Sequence, residues 1–228
     1  MNAILLCAGY GKRLKKITKV TPKCLLPIKG VPIIDIWIQK LHLAGVKKII
    51  VNTHYKSQMV IKHLNKSKYR KFIHITNEKK LLGTGGTLLK NINKIKNDET
   101  FLIHVDNYTE TNISKFIDFH RKMKKKKCLV SLIYFITKEY KDKGILKINN
   151  EKIVSKIFEK SKEYHGKNAN GAVYILSKKF LKIISNKYKS SKDFINDILI
   201  NFEKKIAAYK SNKIFIDIGT VKNYMKVK

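Results

Sequence analysis

Two glycines followed by two cations stand near the start of the chain, directly after a short apolar run. Residues 3–7 carry no charge and suit a buried strand, and the next six residues read Ala-Gly-Tyr-Gly-Lys-Arg and end at Arg13. Glycines let backbone N–H groups turn toward one point, and adjacent cations make that point attractive to phosphate oxygens. Lys23, after a proline, adds a third cation one loop later. The spacing predicts a nucleotide-phosphate site at the carboxyl end of the first strand.

Two common glycine signatures do not fit this segment. A dinucleotide fingerprint needs a third glycine where the chain has Leu14, and a P-loop needs Ser or Thr where it has Arg13. For the glycines alone, a surface turn is the simpler interpretation. Arg13 favours the phosphate site, because only three of the 50 basic residues are arginines.

Two carboxylates, Asp106 and Asp217, each follow an apolar run that is expected to be a strand. Carboxylate oxygens at a sheet edge can hold Mg²⁺ when a polyphosphate supplies further oxygens. Taken singly, each acid is more often a turn former or a helix cap. Two of them at one edge could hold a single cation, and the spacing leaves both interpretations open.

Alternating strand and helix patterns position these residues. Apolar runs predict strands at residues 3–7, 47–52, 72–76, 101–105, 128–136, 170–176, 206–209 and 214–217, and helical spacing predicts helices at 33–44, 57–64, 88–95, 113–123, 178–184 and 192–202. Residues 144–148 and 152–159 alternate as an antiparallel pair would. We therefore expect one domain, residues 1–228. Its predicted fold is a three-layer α/β/α, Rossmann-like fold with a mostly parallel mixed central sheet and a small β-rich insertion. Ligands collect at the carboxyl ends of such strands.

The formal net charge of +34 raises nucleic-acid binding as an alternative function. The excess is almost entirely lysine spread along the whole chain, and no zinc-finger, RNP or basic-zipper pattern accompanies it. Its densest cluster, Lys122 with residues 124–127, lies where a helix should end, and cations there complement the helix dipole. We therefore expect a solvated lysine surface with non-specific binding to polyanions at low salt, and no specific nucleic-acid partner.

Cysteine usage and hydropathy predict the setting. The three cysteines are dispersed and show no CxxC spacing, so buried free thiols are expected rather than a disulfide or zinc site. No apolar run reaches the roughly 20 residues of a membrane span, and the N-terminus lacks the charged region of a signal peptide. A cytoplasmic protein without membrane association is expected.

Six ordered motifs resemble the sugar-1-phosphate nucleotidyltransferases. They are Leu6-Cys7-Ala8-Gly9-x-Gly11-x-Arg13-Leu14, Pro22-Lys23-x-Leu25-x-Pro27, Glu78 with Leu82-Gly83-Thr84-Gly85-Gly86, Asp106, Phe158-Glu159-Lys160 with Asn170-Gly171-Ala172-Val173-Tyr174, and Asp217-Ile218-Gly219-Thr220. The similarity covers essentially the whole chain. In detail it is nearest to single-domain bacterial members acting on mannose 1-phosphate or heptose 1-phosphate with GTP.

The resemblance implies roles only for positions that match. Nucleotide contacts are implied for Leu6, Ala8, Gly9, Gly11, Arg13, Glu78 and Gly83. Contacts with the sugar phosphate are implied for Glu159, Lys160, Asn170 and Gly171. Catalytic roles are implied for Arg13, Lys23 and Asp106, with Mg²⁺ held by Asp106 and Asp217. The β-rich insertion would carry the sugar-binding residues.

The implied reaction needs no protein nucleophile. A sugar-1-phosphate oxygen attacks the α-phosphorus of an NTP and pyrophosphate leaves, with cations and Mg²⁺ compensating the charge of two polyanions. Three positions depart from the family pattern, with Val105, Ser161 and Val221 standing where Gly, Pro and Pro are common. A cytidylyltransferase acting on a non-sugar phosphate such as phosphocholine stays an alternative. The nucleotide base, the sugar and the oligomeric state, including a homodimer, are left open.

Overall fold

Strands and helices alternate along the chain in the computed structural model, which describes residues 1–96 and 98–228. The strands are β1 (Asn2–Leu6), β2 (Pro27–Ile28), β3 (Val31–Pro32), β4 (Lys48–Thr53), β5 (Ile73–Asn77), β6 (Thr100–His104), β7 (Asn107–Thr109), β8 (Val130–Ile136), β9 (Gly144–Ile148), β10 (Val154–Glu159), β11 (Asn168–Leu176), β12 (Ile206–Lys210) and β13 (Phe215–Asp217). The α-helices are α1 (Lys16–Val20), α2 (Ile33–Leu43), α3 (Ser57–Asn65), α4 (Gly83–Asn91), α5 (Ile113–Lys125), α6 (Lys178–Lys187) and α7 (Val221–Met225). None of the helices in these two ranges is both long enough and apolar enough to cross a bilayer.

The chain divides into two compact units. The first unit comprises Met1–Leu81, Ile103–Glu110 and Ile214–Lys228, and the second comprises Leu82–Leu102 and Thr111–Lys213. The expectation of one domain over residues 1–228 stays a prediction.

Parallel strands form the centre of the first unit. β1 pairs with β4 and β4 pairs with β5, both in parallel. The central residues of β1 and β4 are fully buried and apolar, as expected for strands covered on both faces. Helix α2 buries residues at helical spacing, namely Ile33, Ile34, Trp37, Ile38 and Leu41.

A short antiparallel pair brings the last strand of the chain into the first unit. β13 pairs with β7, and the register places Asp217 opposite Asn107, the residue after Asp106. The Ile218 amide donates to the Asp106 carbonyl at 2.9 Å. The two acids of the sequence motifs therefore lie at neighbouring strand ends, although about 110 residues separate them in the chain.

Antiparallel pairing dominates the second unit. β8 pairs with β11, β9 pairs with β10 and with β11, all antiparallel, whereas β12 joins β8 in parallel. The predicted antiparallel β9–β10 pair is therefore confirmed. Buried aromatic side chains fill the core, with Tyr174, Phe180 and Phe194 in edge-to-face contact.

Two predicted helices differ from the structure. The spacing predicts one helix over residues 192–202, but the structure has a short π-helix, Phe194–Ile198, followed by a 3₁₀-helix, Leu199–Phe202. The Asp197 carboxylate accepts hydrogen bonds from the Lys192 and Asp193 amides, so it holds the chain in a turn before the helical residues begin. Helix α4 begins at Gly83 rather than at Leu88, because the glycine-rich segment itself forms its first turns.

Candidate active site

The glycine loop follows β1 in the first unit. Gly11 has φ +65°, and a Cβ at this position would lie 2.8 Å from Thr18 Cγ2, so both the backbone and the space require glycine. The Thr18 hydroxyl donates to the Gly11 carbonyl at 3.0 Å and fixes the turn. At Gly9, no atom of the described residues lies within 4 Å of the position that a Cβ would occupy, so its backbone is open to a ligand. Leu6 and Ala8 precede this open turn, and Ala8 is buried.

Lys23 lies at the centre of a charged cluster in the first unit. Its ammonium makes a short hydrogen-bonded ion pair with Asp106 and lies 3.9 Å from an oxygen of Asp217. Arg13 Nη2 lies 3.7 Å from the other Asp217 oxygen. The Lys23 side chain is only 14% exposed, whereas that of Arg13 is 61% exposed. We call Arg13, Lys23, Asp106 and Asp217 the charged centre. Within it, Lys23 is held between the two carboxylates, whereas Arg13 is exposed to solvent.

Gly219 allows the charged centre to close. A Cβ on Gly219 would lie 2.7 Å from Arg13 Nη2 and 2.7 Å from an Asp217 oxygen. The Gly219 amide donates to the same Asp217 carboxylate at 2.7 Å. A side chain at this position would therefore displace either the arginine or the acid.

The electrostatics of Asp106 reflect its partners. Burial alone would raise the pKa of the Asp106 carboxyl, but the Lys23 ammonium, the nearby His104 ring and its hydrogen bonds hold that pKa below its ordinary value. Asp106 is therefore ionised at neutral pH, which a metal ligand must be.

The donor set fits a divalent cation that a substrate helps to hold. Asp106 and Asp217 already converge on one cation, the Lys23 ammonium. Within residues 1–96 and 98–228, no cluster of three or more His, Cys, Asp or Glu side chains forms a metal site. Mg²⁺ is commonly held by one or two carboxylates together with substrate phosphates, so two acids are a fitting number.

A buried hydrogen-bond chain links the loops of the first unit. The Cys7 amide donates to the Asn52 side chain at 2.7 Å, and the Asn52 amide group donates to the Glu78 carboxylate at 3.0 Å. Glu78 is 2% exposed. A ring nitrogen of His54 lies 2.7 Å from the Glu78 carbonyl, and the other lies 3.2 Å from the Tyr10 hydroxyl. Glu78 thus positions the chain around the glycine loop, while its contact with a nucleotide stays a prediction.

In the second unit, Gly83 and Gly85 of the second glycine-rich segment pack closely against the backbone of Lys192. Gly83 has φ +77°, and its Cβ would lie 2.3 Å from the Lys192 carbonyl oxygen. The Gly85 amide donates to that same oxygen at 2.8 Å. These glycines pack backbone on backbone, so the predicted nucleotide contact of Gly83 rests on the family resemblance rather than on this geometry.

Glu159 is a largely buried acid at the end of β10. Its Oε1 lies 3.8 Å from the exposed Lys160 ammonium, whereas its buried Oε2 has no hydrogen-bond partner among the described residues. Burial raises the pKa of the Glu159 carboxyl, and Lys160 opposes this effect. Gly144, its register partner on β9, leaves the space that Oε2 occupies, since a Cβ there would lie 2.5 Å away. A buried acceptor without a partner suits a ligand hydroxyl.

A bulge in β11 presents Asn170 and Gly171. The register with β8 shifts between Asn170 and Tyr174, and Ala172 within the bulge has φ +51°. The Asn170 side chain donates to the Tyr174 hydroxyl at 2.8 Å and accepts from the Ala172 amide at 3.0 Å. The bulge therefore holds the Asn170 side chain in one orientation.

Sequence reasoning missed three residues that support these sites. Asn52, Gly144 and Tyr174 each contact a predicted site residue but were assigned no role; Asn52 and Gly144 stand outside the motifs, whereas Tyr174 ends the motif that begins at Asn170. Asn52 could have been found from the sequence, because it is an amide that directly follows the apolar run at residues 49–51 of a predicted strand, at the ligand edge of the sheet. Gly144 becomes apparent only from strand register, and the contact of Tyr174 with Asn170 only from the β11 bulge.

Comparison with known proteins decides the family. The model of the family described as Nucleotidyl transferase matches residues 2–228. The chain belongs to the nucleotidyl transferase family. It is therefore an enzyme of the nucleotidyltransferase class, as the motifs predict.

Relatives of this nucleotidyltransferase are similar over the whole chain. The D-glycero-alpha-D-manno-heptose 1-phosphate guanylyltransferase of Aneurinibacillus thermoaerophilus is 28% identical over 99% of this chain and 96% of its own length. The mannose-1-phosphate guanyltransferase of Saccharomyces cerevisiae is 27% identical over 99% of this chain, which spans 63% of that protein. HddC from Yersinia pseudotuberculosis, complexed with GMP-PN, is 26% identical with a TM-score of 0.79, over 99% of this chain and 97% of its own. This likeness confirms the predicted Rossmann-like α/β fold with a mostly parallel mixed sheet.

Proposed function

We propose that this nucleotidyltransferase condenses GTP with a mannose- or heptose-type sugar 1-phosphate to give a GDP-sugar and pyrophosphate. The charged centre beside the open glycine loop carries the proposal, because it combines an exposed cation, a nearly buried cation and two carboxylates. The names of the relatives support guanine and these sugars, since both curated relatives act as guanylyltransferases on sugar 1-phosphates.

Residues of the first unit would bind the triphosphate. Backbone groups of Gly9 and Gly11 would contact the nucleotide, and the exposed Arg13 guanidinium would bind the β- and γ-phosphates, where its planar fork suits phosphate oxygens. Lys23 would contact the phosphates at the reacting centre from a position fixed by its two acids. Leu6, Ala8 and Glu78 would shape the nucleotide site. A nucleotide contact of Gly83 is proposed from the family resemblance alone.

Asp106 and Asp217 would hold Mg²⁺, which would neutralise charge on the phosphates of the nucleotide. Lys23 already lies between these carboxylates. We therefore expect the ammonium to move toward substrate phosphate as the acids turn to the metal. Asp106, Arg13 and Lys23 are the catalytic residues of this proposal.

Residues of the second unit would bind the sugar 1-phosphate. The Glu159 Oε2 atom would accept a hydrogen bond from a sugar hydroxyl, which would supply the partner that it lacks among the described residues. The exposed Lys160 ammonium would bind the sugar phosphate. Asn170 and Gly171 would shape the pocket wall at the β11 bulge.

The chemistry then requires no nucleophile from the protein. A phosphate oxygen of the sugar 1-phosphate forms a bond to the α-phosphorus of GTP as the bond between that phosphorus and the bridging oxygen of pyrophosphate breaks. Both reactants are polyanions, so the main contribution of the side chains is charge compensation and alignment.

The proposal includes the setting of the enzyme. All three cysteines are free and buried, which is consistent with a reducing compartment such as the cytoplasm. GDP-sugars of this type would supply surface polysaccharide or lipopolysaccharide synthesis. A homodimer is a further part of the proposal, and light scattering of the purified protein would measure its mass.

A substrate matrix tests the proposal. Pyrophosphate release is measured with GTP, dTTP, CTP and UTP, each against mannose 1-phosphate, heptose 1-phosphate and glucose 1-phosphate, and with CTP against phosphocholine. We expect Mg²⁺-dependent release that is fastest with GTP and a mannose- or heptose-type phosphate, and strongly reduced release in Asp106→Asn. Preference for CTP and phosphocholine would replace the proposal with a cytidylyltransferase, and full activity of Asp106→Asn would contradict its assigned role.

A further inference from the structure

A cleft rimmed by lysines lies in the second unit, apart from the residues assigned above. Its cavity volume is about 590 Å³, within the range of small-molecule sites. We call it the basic cleft; the lysines that line it are Lys124, Lys127, Lys178, Lys179 and Lys205.

Three segments are tied together to form the cleft. The Leu129 amide donates to the Lys205 carbonyl at 2.8 Å, and the Ser177 amide donates to the Leu129 carbonyl at 3.0 Å. The end of α5, the start of α6 and the segment before β12 are therefore held at fixed positions. The backbone that carries the lining side chains is therefore part of the fold.

The charge of the basic cleft is largely uncompensated. Of its five lysines, Lys124 pairs with Glu99, while the other four have no carboxylate within ion-pair distance in the part of the chain that the structure describes. No Asp or Glu lines the cavity. Four ammonium groups around one concavity repel each other, and an anion would relieve that repulsion.

The floor of the cleft is apolar. Cys128 and Leu129 are buried, and Ile183 adds a side chain from α6. Cys128 packs against Met123 and Ala207, and burial raises the pKa of its thiol, so it stays neutral at physiological pH. A ligand in this cleft would therefore meet cations at the rim and carbon and sulfur atoms beneath.

We propose that the basic cleft binds a small organic phosphate, with its phosphate on the lysines and an apolar or aromatic body on the Cys128–Leu129–Ile183 floor. Lysine ammonium groups are common phosphate ligands. The cleft lies at the Leu176 end of β11, six residues and roughly 20 Å along the strand from Asn170. It is thus a second site, and its occupancy does not depend on the proposed reaction.

Calorimetry of the full chain at about 150 mM salt tests the proposal with 2-naphthyl phosphate and inorganic phosphate as probes. The cleft variant carries Lys127→Gln, Lys178→Gln, Lys179→Gln and Lys205→Gln. A control of equal charge, in the same unit, carries Lys115→Gln, Lys141→Gln, Lys187→Gln and Lys189→Gln. We expect the cleft variant to lose at least tenfold in affinity for naphthyl phosphate and the control to lose less than twofold.

A second variant separates the floor from the rim. Ile183→Ser is expected to weaken naphthyl phosphate severalfold and to leave inorganic phosphate unchanged. Equal losses in the cleft variant and its control would assign binding to overall charge and overturn the site, as would unchanged binding in the cleft variant. Tighter, cleft-dependent binding of a 20-nucleotide single strand would replace the small ligand with nucleic acid. If thermal melts show the quadruple variant to be unfolded, Lys178→Gln/Lys179→Gln on exposed α6 positions carries the same test.

Discussion

Lys23 is held between two carboxylates that come from distant parts of the chain, and its side chain is nearly buried. Such a cation has two functions: it keeps two like charges together, and it is already oriented when a polyanion arrives. The exposed Arg13 must instead be ordered by its ligand. We therefore expect Lys23 to affect both stability and turnover, and Arg13 mainly turnover.

Lys23→Met tests this dual role. Turnover should fall by about 10²–10³-fold, because a fixed cation aimed at the reacting phosphates is lost. The free energy of unfolding should fall by about 1–3 kcal/mol, because Asp106 and Asp217 lose their shared partner. Urea denaturation and pyrophosphate release measure the two effects. Lys19→Met, an exposed position in the same unit, is the control, and equal behaviour of the two variants would contradict the role of Lys23.

Glu159 predicts a dependence of stability on pH. Its pKa is raised in the folded protein, so between its ordinary value of 4.5 and the folded value the unfolded chain ionises first. The contribution of Glu159 to the unfolding free energy therefore decreases as pH rises through that window.

The variant Glu159→Gln removes this ionisation. Its Tm relative to the unmodified protein should rise as pH increases from about 4 to 7. The KM for sugar 1-phosphate should increase, because a charged carboxylate acceptor is replaced by a neutral amide with one acceptor oxygen. Thermal melts across this pH range measure the trend, with the exposed Glu151→Gln as control. A Tm difference that is constant with pH would refute the burial cost assigned to Glu159.

At the scale of elements, α4 begins where two backbones meet. Gly83 and Gly85 approach the Lys192 carbonyl so closely that no side chain fits at position 83. Gly45 also has a left-handed φ, +80°, but no atom of the described residues lies near its Cβ position. Comparing Gly45 with Gly83 therefore separates the cost of backbone strain from the cost of the steric clash with Lys192.

Gly83→Ala and Gly45→Ala form a matched pair of variants. The left-handed backbone should cost each about 1 kcal/mol. Gly83→Ala should lose about 1–3 kcal/mol more, because its Cβ would overlap the Lys192 carbonyl. Chemical denaturation measures both losses, and equal values would show that the close approach relaxes without cost.

Element prediction succeeded where burial alone decides structure. Strand β1 and helix α2 could be predicted from their own residues. The charge-free run of β1 and the helical spacing of apolar residues in α2 both indicate a continuous buried face. The turn at residues 192–198 could not be predicted, because it depends on one carboxylate, Asp197, bonding backbone amides four and five residues earlier.

The site residues likewise divide into those that local motifs predict and those that only the folded structure reveals. Arg13, Lys23 and Asp217 stand in recognisable motifs. Gly144 acts through strand register and Tyr174 through a bulge in its own strand, and a single sequence displays neither.

At the scale of the whole molecule, the net charge of +34 attracts polyanions without requiring a specific binding site. Mixed-sequence DNA should bind at low salt and lose at least about 10³-fold in affinity between roughly 50 and 200 mM salt, because such binding is driven by counterion release. Fluorescence anisotropy with two unrelated duplexes measures it. Tight binding of one duplex at physiological salt would instead favour a specific nucleic-acid function.

The strand that completes the charged centre, β13, lies near the end of the chain and pairs with β7. During synthesis, Lys23 and Asp106 leave the ribosome first, and Asp217 follows about 110 residues later, which at ~5–20 residues per second is roughly 5–20 s. The nascent protein therefore holds its lysine against one acid before the second arrives. Until β13 joins β7, Lys23 and Asp106 are in place without Asp217, so the charged centre is complete only once Phe215–Asp217 has been synthesised and has paired with β7.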